Sequence, residues 1–175
     1  MTGTAARRSE EGLDISGEAH RTLVLGLGNA VLTDDGVGIH VVRRLDADAD
    51  AGLPQGVTLR DGGTIGLGLL PEIADADALI VVDAAELHAA PGSVRVFEGA
   101  EMDARVGRSK GSAHEIALSD VMTAAAISGS RPERRALIAI QPENLSWGTE
   151  PTDAVAAAIP QACAAIAGLV DKWTR

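Results

Sequence analysis

The stretch that decides the fold runs Leu23-Val24-Leu25-Gly26-Leu27-Gly28-Asn29 and continues, after a short gap, as Thr33-Asp34-Asp35-Gly36-Val37-Gly38. An apolar run that enters a glycine-rich loop and then a helix is typical of a buried strand in an α/β domain. The N-terminus of such a helix carries partial positive charge and often binds a phosphate. Here Asp34 and Asp35 would repel a pyrophosphate, so the loop favours a cation instead.

A dinucleotide-binding turn is the first alternative for this loop. Its fingerprint requires a third glycine, and Val31 stands at that position, although Asp61 matches the acid that would bind a ribose. The sequence also lacks the Gly-Lys-Ser/Thr of a P-loop. These two classes of site are therefore not favoured.

Composition narrows the possible partners. The 175 residues include 25 acidic and 15 basic side chains, a net charge of −10, with only two tryptophans and one phenylalanine. This charge opposes binding to a phosphate backbone, and few aromatic rings are available to stack on bases. We therefore expect no nucleic-acid partner. The single cysteine, Cys163, excludes an intramolecular disulfide and a thiolate metal cluster.

The chain is long enough for one α/β domain, expected over residues 21–175, after a mobile polar leader at residues 1–20. Arg7-Arg8 in that leader is followed by Ser9 and two glutamates rather than by an apolar segment, which excludes a twin-arginine export signal. We expect no membrane-spanning segment, because the apolar runs are too short to cross a bilayer. We expect a cytoplasmic monomer without a membrane partner.

The apolar pattern predicts strands and helices in alternation. The predicted strands are Thr22–Leu25, Val57–Arg60, Ala78–Val82, Val94–Phe97 and Ala136–Ile140. The predicted helices are Gly36–Leu45, Ile65–Ala74, Glu115–Ile127 and Asp153–Trp173, the last with Thr152 as its N-cap. The polar, turn-rich segment Gly99–Gly111 is predicted to be a surface loop.

The connection between the third and fourth strands decides the sheet type. Only a short loop with Pro91-Gly92 separates them, whereas a parallel crossover needs a dozen or more residues, so this pair is expected to be antiparallel. The sequence thus predicts a three-layer α/β sandwich. Its twisted sheet has five strands, mostly parallel, with one antiparallel edge strand and helices on both faces.

Candidate chemistry falls where the predicted strands end. Asp34 and Asp35 follow the first strand, Asp83 ends the third, and His114 lies in the loop that opens a helix. Open α/β sheets place their sites at the carboxyl ends of strands. Carboxylate oxygens and an imidazole nitrogen suit a borderline divalent ion such as nickel or zinc, and three protein ligands leave a position for water or substrate.

A phospho-acceptor receiver domain is the non-enzymatic alternative. It also has an acidic pair after its first strand and an aspartate after its third. It requires a lysine after its last strand to neutralise the phosphoryl oxygens, and Gln141-Pro142 stand there instead. This reading remains the runner-up.

Taken together, the segments resemble the maturation endopeptidases of nickel–iron hydrogenases, over residues 22 to about 170. The most specific element is Gly26-Leu27-Gly28-Asn29 followed by Thr33-Asp34-Asp35-Gly36-Val37-Gly38. The supporting elements are Asp61-Gly62-Gly63-Thr64, Val81-Val82-Asp83-Ala84, Ser112-Ala113-His114 and Gln141-Pro142-Glu143.

The resemblance implies an endopeptidase that removes a C-terminal extension from the hydrogenase large-subunit precursor after its nickel has been inserted. It implies that Asp35, Asp83 and His114 are the catalytic residues and the metal ligands, recognising the nickel of the precursor. A divalent ion such as zinc or nickel is expected at the site in isolation. The family often has Glu at the position of Asp35. The aspartate side chain is one methylene shorter, and we expect it to keep the role of metal ligand.

The resemblance also suggests which residues meet the substrate. They are Gly28, Asn29, Asp34, Asp61, Gly62, Gly63 and Thr64, with Asp34 expected to support its loop or cap the following helix rather than ligate directly. An ordinary tight turn is the equal alternative for Asp61-Gly62-Gly63-Thr64. Trp147, in the loop before the last helix, has two possible roles, a contact with a partner or ordinary packing. A catalytically inert, metal-dependent chaperone of the same precursor is a further alternative.

Overall fold

The centre of the molecule is a five-stranded sheet. The computed structural model describes residues 20–48, 52–64, 66–107 and 113–175, with residues 113–115 described by their backbone only. The strands are β1 Thr22–Leu27, β2 Val57–Gly63, β3 Ala78–Ala84, β4 Val94–Glu98 and β5 Arg134–Ile140. Their order is β2-β1-β3-β5-β4, and all pairs are parallel except the pair of β4 with β5. The predicted fold class is confirmed.

Helices cover both faces of this sheet. One face carries α1 Val37–Ala47 and α5 Asp153–Thr174, and the other carries α2 Leu70–Ala74, α3 Ala100–Val106 and α4 Ala113–Ile127. The strands serve both cores because successive side chains point to opposite faces. Within β3, Ile80 and Val82 belong to the first core, whereas Leu79 and Val81 belong to the second.

The place of β4 corrects one expectation. β4 is antiparallel, as expected, but it pairs with β5 rather than with β3. Burial explains the order, since β5 is buried from Ala136 to Ile140, whereas β4 carries the exposed Arg95 and is nowhere fully buried. β5, which has apolar side chains on both faces, therefore takes the inner position, and the half-polar β4 takes the edge.

The segment predicted as a surface loop contains a helix. α3 occupies Ala100–Val106, and residues 108–111 of the predicted loop lie outside the described residues. Met102 and Val106, four positions apart, are its buried residues and join the second core. That spacing was the available signal, and the surrounding polar residues obscured it.

Other boundaries shift less. The predicted helix Ile65–Ala74 divides into a 3-10 turn, Gly66–Leu69, and α2, while Ile65 itself lies outside the described residues. The predicted leader also falls outside them up to residue 19. The other strands and helices are confirmed, each with a shift of a few residues at its ends.

Helix α5 corrects a further expectation, because by length and composition it is apolar enough to cross a membrane. It packs instead against α1 and β5. Its buried residues are Val155, Ala158, Ala162, Ile166, Leu169, Val170 and Trp173. A core helix of this kind passes the same test, so one such helix is weak evidence for a membrane span.

Two glycines let α1 approach the sheet. A β-carbon at Gly38 would lie 2.2 Å from the Val82 oxygen and 2.4 Å from the Leu27 oxygen, and one at Gly26 would lie 2.3 Å from the Gly38 oxygen. These neighbours are backbone atoms that cannot move aside. The glycines therefore hold the start of α1, and the loop before it, directly over the carboxyl ends of β1 and β3.

Candidate functional site

Asp35 and Asp83 are brought to the same edge of the sheet. Asp83 lies near the end of β3, and Asp35 lies in a 3-10 turn, Thr33–Gly36, between β1 and α1. This turn packs against β3, which is the parallel neighbour of β1. Both side chains are nearly buried, with 7% of Asp35 and 2% of Asp83 exposed. Two carboxyl groups at one edge provide oxygen ligands that suit a divalent cation.

The loop after β1 determines the position of Asp35. The backbone nitrogen of Asn29 donates to Oδ2 of Asp35 at 3.1 Å, and the nitrogen of Asp35 donates to the Leu32 oxygen at 2.7 Å. Gly28 has a φ of +125°, and a β-carbon there would lie 1.8 Å from the Asp35 oxygen. Gly28 and Asn29 therefore shape the turn that presents Asp35.

Asp34 holds a different part of the chain. Its carboxylate is wholly buried and accepts four hydrogen bonds, from the nitrogens of Glu143, Asn144 and Thr152 and from the Thr152 hydroxyl, at 2.7–3.0 Å. Thr152 is the N-cap residue of α5. The helix whose start Asp34 secures is therefore α5 and not α1, whose N-cap, Gly36, has no side-chain cap hydrogen bond.

The segment at residues 143–152 lies along the loop that carries both aspartates. Thr33 donates from its nitrogen to the Gly148 oxygen at 2.9 Å and from its hydroxyl to the Ser146 oxygen at 2.6 Å. The nitrogen of Gly148 donates in return to the Val31 oxygen at 3.1 Å. Gln141-Pro142-Glu143, Trp147 and Thr152 were the features of this region noted in the sequence, and none of them revealed its role in fixing the loop.

The turn at Asp61-Gly62-Gly63-Thr64 adjoins the first loop. The Gly63 oxygen accepts from the Gly28 nitrogen at 3.1 Å, and Oδ2 of Asp61 accepts from Arg43 at 3.1 Å. A β-carbon at Gly62 would lie 2.6 Å from a methyl of Leu25, whereas Thr64 is exposed. The two predicted substrate-binding segments thus form one continuous rim.

His114 lies in the first turn of α4, rather than in a loop before the helix as expected. One turn later, Ala117 lines a small cavity together with Leu27, Gly63 and Thr64. The start of α4 is therefore at the same edge as the two carboxylates. The His114 side chain lies outside the described residues, and among the side chains that are described, no group of three His, Cys, Asp or Glu residues is arranged to hold a metal ion.

Gln141 fixes the loop that follows Asp83, a role that the sequence did not reveal. Its Oε1 accepts from the Leu87 nitrogen at 2.7 Å, and its Nε2 donates to the Pro142 oxygen at 3.1 Å and to Oε2 of Glu86 at 3.4 Å. The hydrogen bond from the His88 nitrogen, followed by that from Gln141, lowers the pKa of Glu86. Glu86 is therefore a carboxylate at neutral pH on the rim of this edge.

A sequence profile of the hydrogenase maturation protease family (HycI) matches residues 39–169. The chain belongs to the hydrogenase maturation protease family. It is an endopeptidase, as the family is, and the resemblance noted in its sequence is confirmed.

Relatives and solved structures agree with this membership. The protease is 39% identical over 154 residues to the hydrogenase expression/formation protein HupD of Rhodobacter capsulatus, covering 87% of this chain and 72% of the relative. It is 37% identical over 126 residues to the hydrogenase 2 maturation protease of Escherichia coli K12, covering 71% and 75%. The structure of the hydrogenase maturating endopeptidase HybD from E. coli superposes with a TM-score of 0.81 at 34% identity, covering 87% of this chain and 93% of that one.

The family leaves the receiver-domain and inert-chaperone alternatives without support. The sheet argues independently against a receiver domain. Receiver domains have the strand order 2-1-3-4-5 in a parallel sheet. In this protease β5 lies between β3 and β4, and β4 runs antiparallel.

Proposed function

We propose that this protease removes the C-terminal extension of a nickel–iron hydrogenase large-subunit precursor after nickel has been inserted. Its membership of the hydrogenase maturation protease family and its likeness to the hydrogenase 2 maturation protease of E. coli support the proposal. The precursor is thus the partner. We also propose that it acts as a monomer in the cytoplasm, without nucleic acid or membrane. The net charge of −10 supports the absence of a nucleic-acid partner.

Nickel recognition is assigned to Asp35, Asp83 and His114. The observation that carries this assignment is the burial of Asp35 and Asp83 at one edge, to which the backbone of His114 also belongs. Two carboxylates and an imidazole suit nickel and leave positions for ligands from the precursor. In isolation the same residues would accept zinc or nickel.

The nickel belongs to the substrate, so it makes cleavage conditional on metal insertion. When held at this edge, a divalent ion can polarise a carbonyl or activate water. The protease supplies three ligands, leaves coordination positions open for the precursor, and orients the precursor. A precursor without nickel lacks the ion that these ligands recognise, and it is therefore a poor substrate.

The rim beside the carboxylates is proposed to receive the extension. Asp61 and Thr64 are accessible there, and Gly28, Gly62 and Gly63 give the rim its close-packed backbone. Asn29 contributes through its hydrogen bond to Asp35. Asp34 contributes indirectly, by fixing the loop, because its carboxylate is wholly buried.

The deciding experiment compares nickel-loaded and nickel-free precursor as substrates, with the product weighed by mass spectrometry. We expect a shortened product from the nickel-loaded precursor alone. Equal processing of both forms would overturn nickel recognition, and an unchanged mass for both would overturn the proposed cleavage.

Variants test the ligand assignment. We expect His114→Ala and Asp83→Asn to lose at least 100-fold in processing rate while remaining folded by circular dichroism, since catalytic metal assistance supplies several kcal/mol. His88→Ala is the matched control, because the His88 side chain is 92% exposed on the loop after Asp83. Wild-type rates in both variants would show that the assignment is wrong.

A further inference from the structure

An exposed apolar patch lies beside the candidate site. Trp147 is 83% exposed, Leu145 52% and Val31 45%, and we call these three residues the Trp147 patch. Single exposed apolar residues are common on protein surfaces. Here the three lie on two adjoining segments, joined by the hydrogen bond from the Gly148 nitrogen to the Val31 oxygen. The packing role considered for Trp147 does not fit this exposure.

The Trp147 patch is connected to Asp35 through a short series of backbone contacts. Leu32 forms β-bridges with Trp147 and Gly148, and its oxygen accepts from the Asp35 nitrogen at 2.7 Å. A molecule that contacts Trp147 is therefore held at a fixed position relative to the buried carboxylates. The patch is continuous with the candidate site.

Two acidic residues flank the patch. Glu143 and Glu150 are exposed on the same segment as Trp147, and within the described part of the chain neither forms an ion pair. An apolar centre with an accessible tryptophan and a charged rim is the usual anatomy of a protein interface. The occupant that fits has an apolar recess bordered by basic side chains.

We propose that the Trp147 patch is the docking surface for the hydrogenase large-subunit precursor. This inference rests on the proposed function and adds a second contact to it, separate from metal recognition. The patch binds the surface of the precursor while the extension reaches the sheet edge. Tryptophan at the centre of an interface commonly carries much of the binding energy, so its loss should raise KM. The chemical step, at the buried carboxylates, should keep its rate.

The test is steady-state processing of nickel-loaded precursor by wild type and Trp147→Ala. We expect KM to rise about 30-fold in the variant, with kcat within about twofold of wild type. Trp147→Phe should recover most of this loss because it keeps an aromatic ring. The matched control is Ile127→Ala, since Ile127 is 84% exposed at the end of α4 and should keep wild-type KM and kcat.

The salt dependence of processing tests the role of Glu143 and Glu150 beside the Trp147 patch. In Glu143→Gln/Glu150→Gln, we expect kcat/KM to become less sensitive to salt than in wild type. An unchanged KM in Trp147→Ala, while wild type cleaves the precursor, would overturn the docking surface and leave the proposed function standing. A concentration-dependent dimer of wild type that Trp147→Ala abolishes, with KM unchanged, would assign the patch to a second copy instead. Failure of wild type to cleave would overturn the proposed function itself.

Discussion

The carboxylate of Asp34 accepts hydrogen bonds from both the nitrogen and the hydroxyl of Thr152, at 2.7 and 3.0 Å, although the two residues are 118 positions apart. Its neighbour Asp35 has a different role, accepting a hydrogen bond only six positions away, from the Asn29 nitrogen. The two adjacent aspartates therefore have different roles. One joins distant parts of the chain, and the other remains at the sheet edge where a cation is expected.

Asp34→Ala should lower the free energy of unfolding by about 3 kcal/mol, because it removes the buried acceptor of four hydrogen bonds. Asp34→Asn should cost about 2 kcal/mol, since an amide group would direct hydrogens at donors. Thr152→Val removes only one of the four hydrogen bonds and should cost about 1 kcal/mol. Urea unfolding measures all three, and a cost for Asp34→Ala no larger than that for Thr152→Val would contradict this ranking.

Gly38→Ala should destabilise the protein by about 3 kcal/mol, because the new methyl would meet the backbone oxygens of Val82 and Leu27. Gly168→Ala is the matched control within α5, where among the described residues a β-carbon meets no atom within 4 Å. It should stabilise by about 0.5–1 kcal/mol. Thermal unfolding compares them, and equal effects would show that α1 does not depend on the close approach.

Gln141→Leu should free the loop after Asp83, because the Leu87 and Ala89 nitrogens both donate to the Gln141 side chain. We expect faster hydrogen exchange at these two amides, by tenfold or more, while amides in β3 keep their protection. Gln141→Glu is the informative companion, since it keeps an acceptor but places a second carboxylate beside Glu86. Unchanged exchange in Gln141→Leu would assign the order of this loop to other contacts.

Stability at acid pH should depend on Asp103. Hydrogen bonds from Arg135, with the charges of Arg135 and Arg131, hold the pKa of Asp103 below its ordinary value, and burial opposes them. A lowered folded-state pKa gives stability that is present above the unfolded value and is lost as pH falls through the folded one.

Asp103→Asn should therefore cost about 2 kcal/mol at pH 7, and the difference from wild type should shrink below about pH 4. Urea unfolding at a series of pH values measures this difference. Asp171→Asn is the control, because its pair with Arg175 is exposed, and it should cost less than about 0.5 kcal/mol. A difference for Asp103→Asn that persists undiminished to pH 2 would contradict the ionic origin.

Local patterns in the sequence were sufficient for most of the fold. The continuous apolar run of β3 and the apolar stripe of α1 are visible in a short window, as is the cluster of polar residues where strands end. The position of β4 was not visible, because it depends on which of two strands, β5 or β4, is better able to be buried on both faces. Likewise, α3 is a helix because Met102 and Val106 find a core supplied by other elements.

The candidate site could be predicted only to the level of residue types. A pair of adjacent aspartates does not itself indicate which one is buried against a distant loop. That assignment depends on residues 143–152, whose donors to Asp34 are 109 to 118 positions away. The Gln141 contacts with the loop after Asp83 depend on separations of 52 to 55 positions and were equally hidden.

These long separations have a consequence for the order of assembly. Contacts between distant positions form late in folding, because the entropy of closing a long loop is lost before they form. The Asp34 carboxylate accepts hydrogen bonds from residues 143–152, so a nascent chain can complete the β1–α1 unit before these bonds form. A chain that has not yet reached residue 152 therefore lacks the hydrogen bonds that join the turn carrying Asp35 to the start of α5.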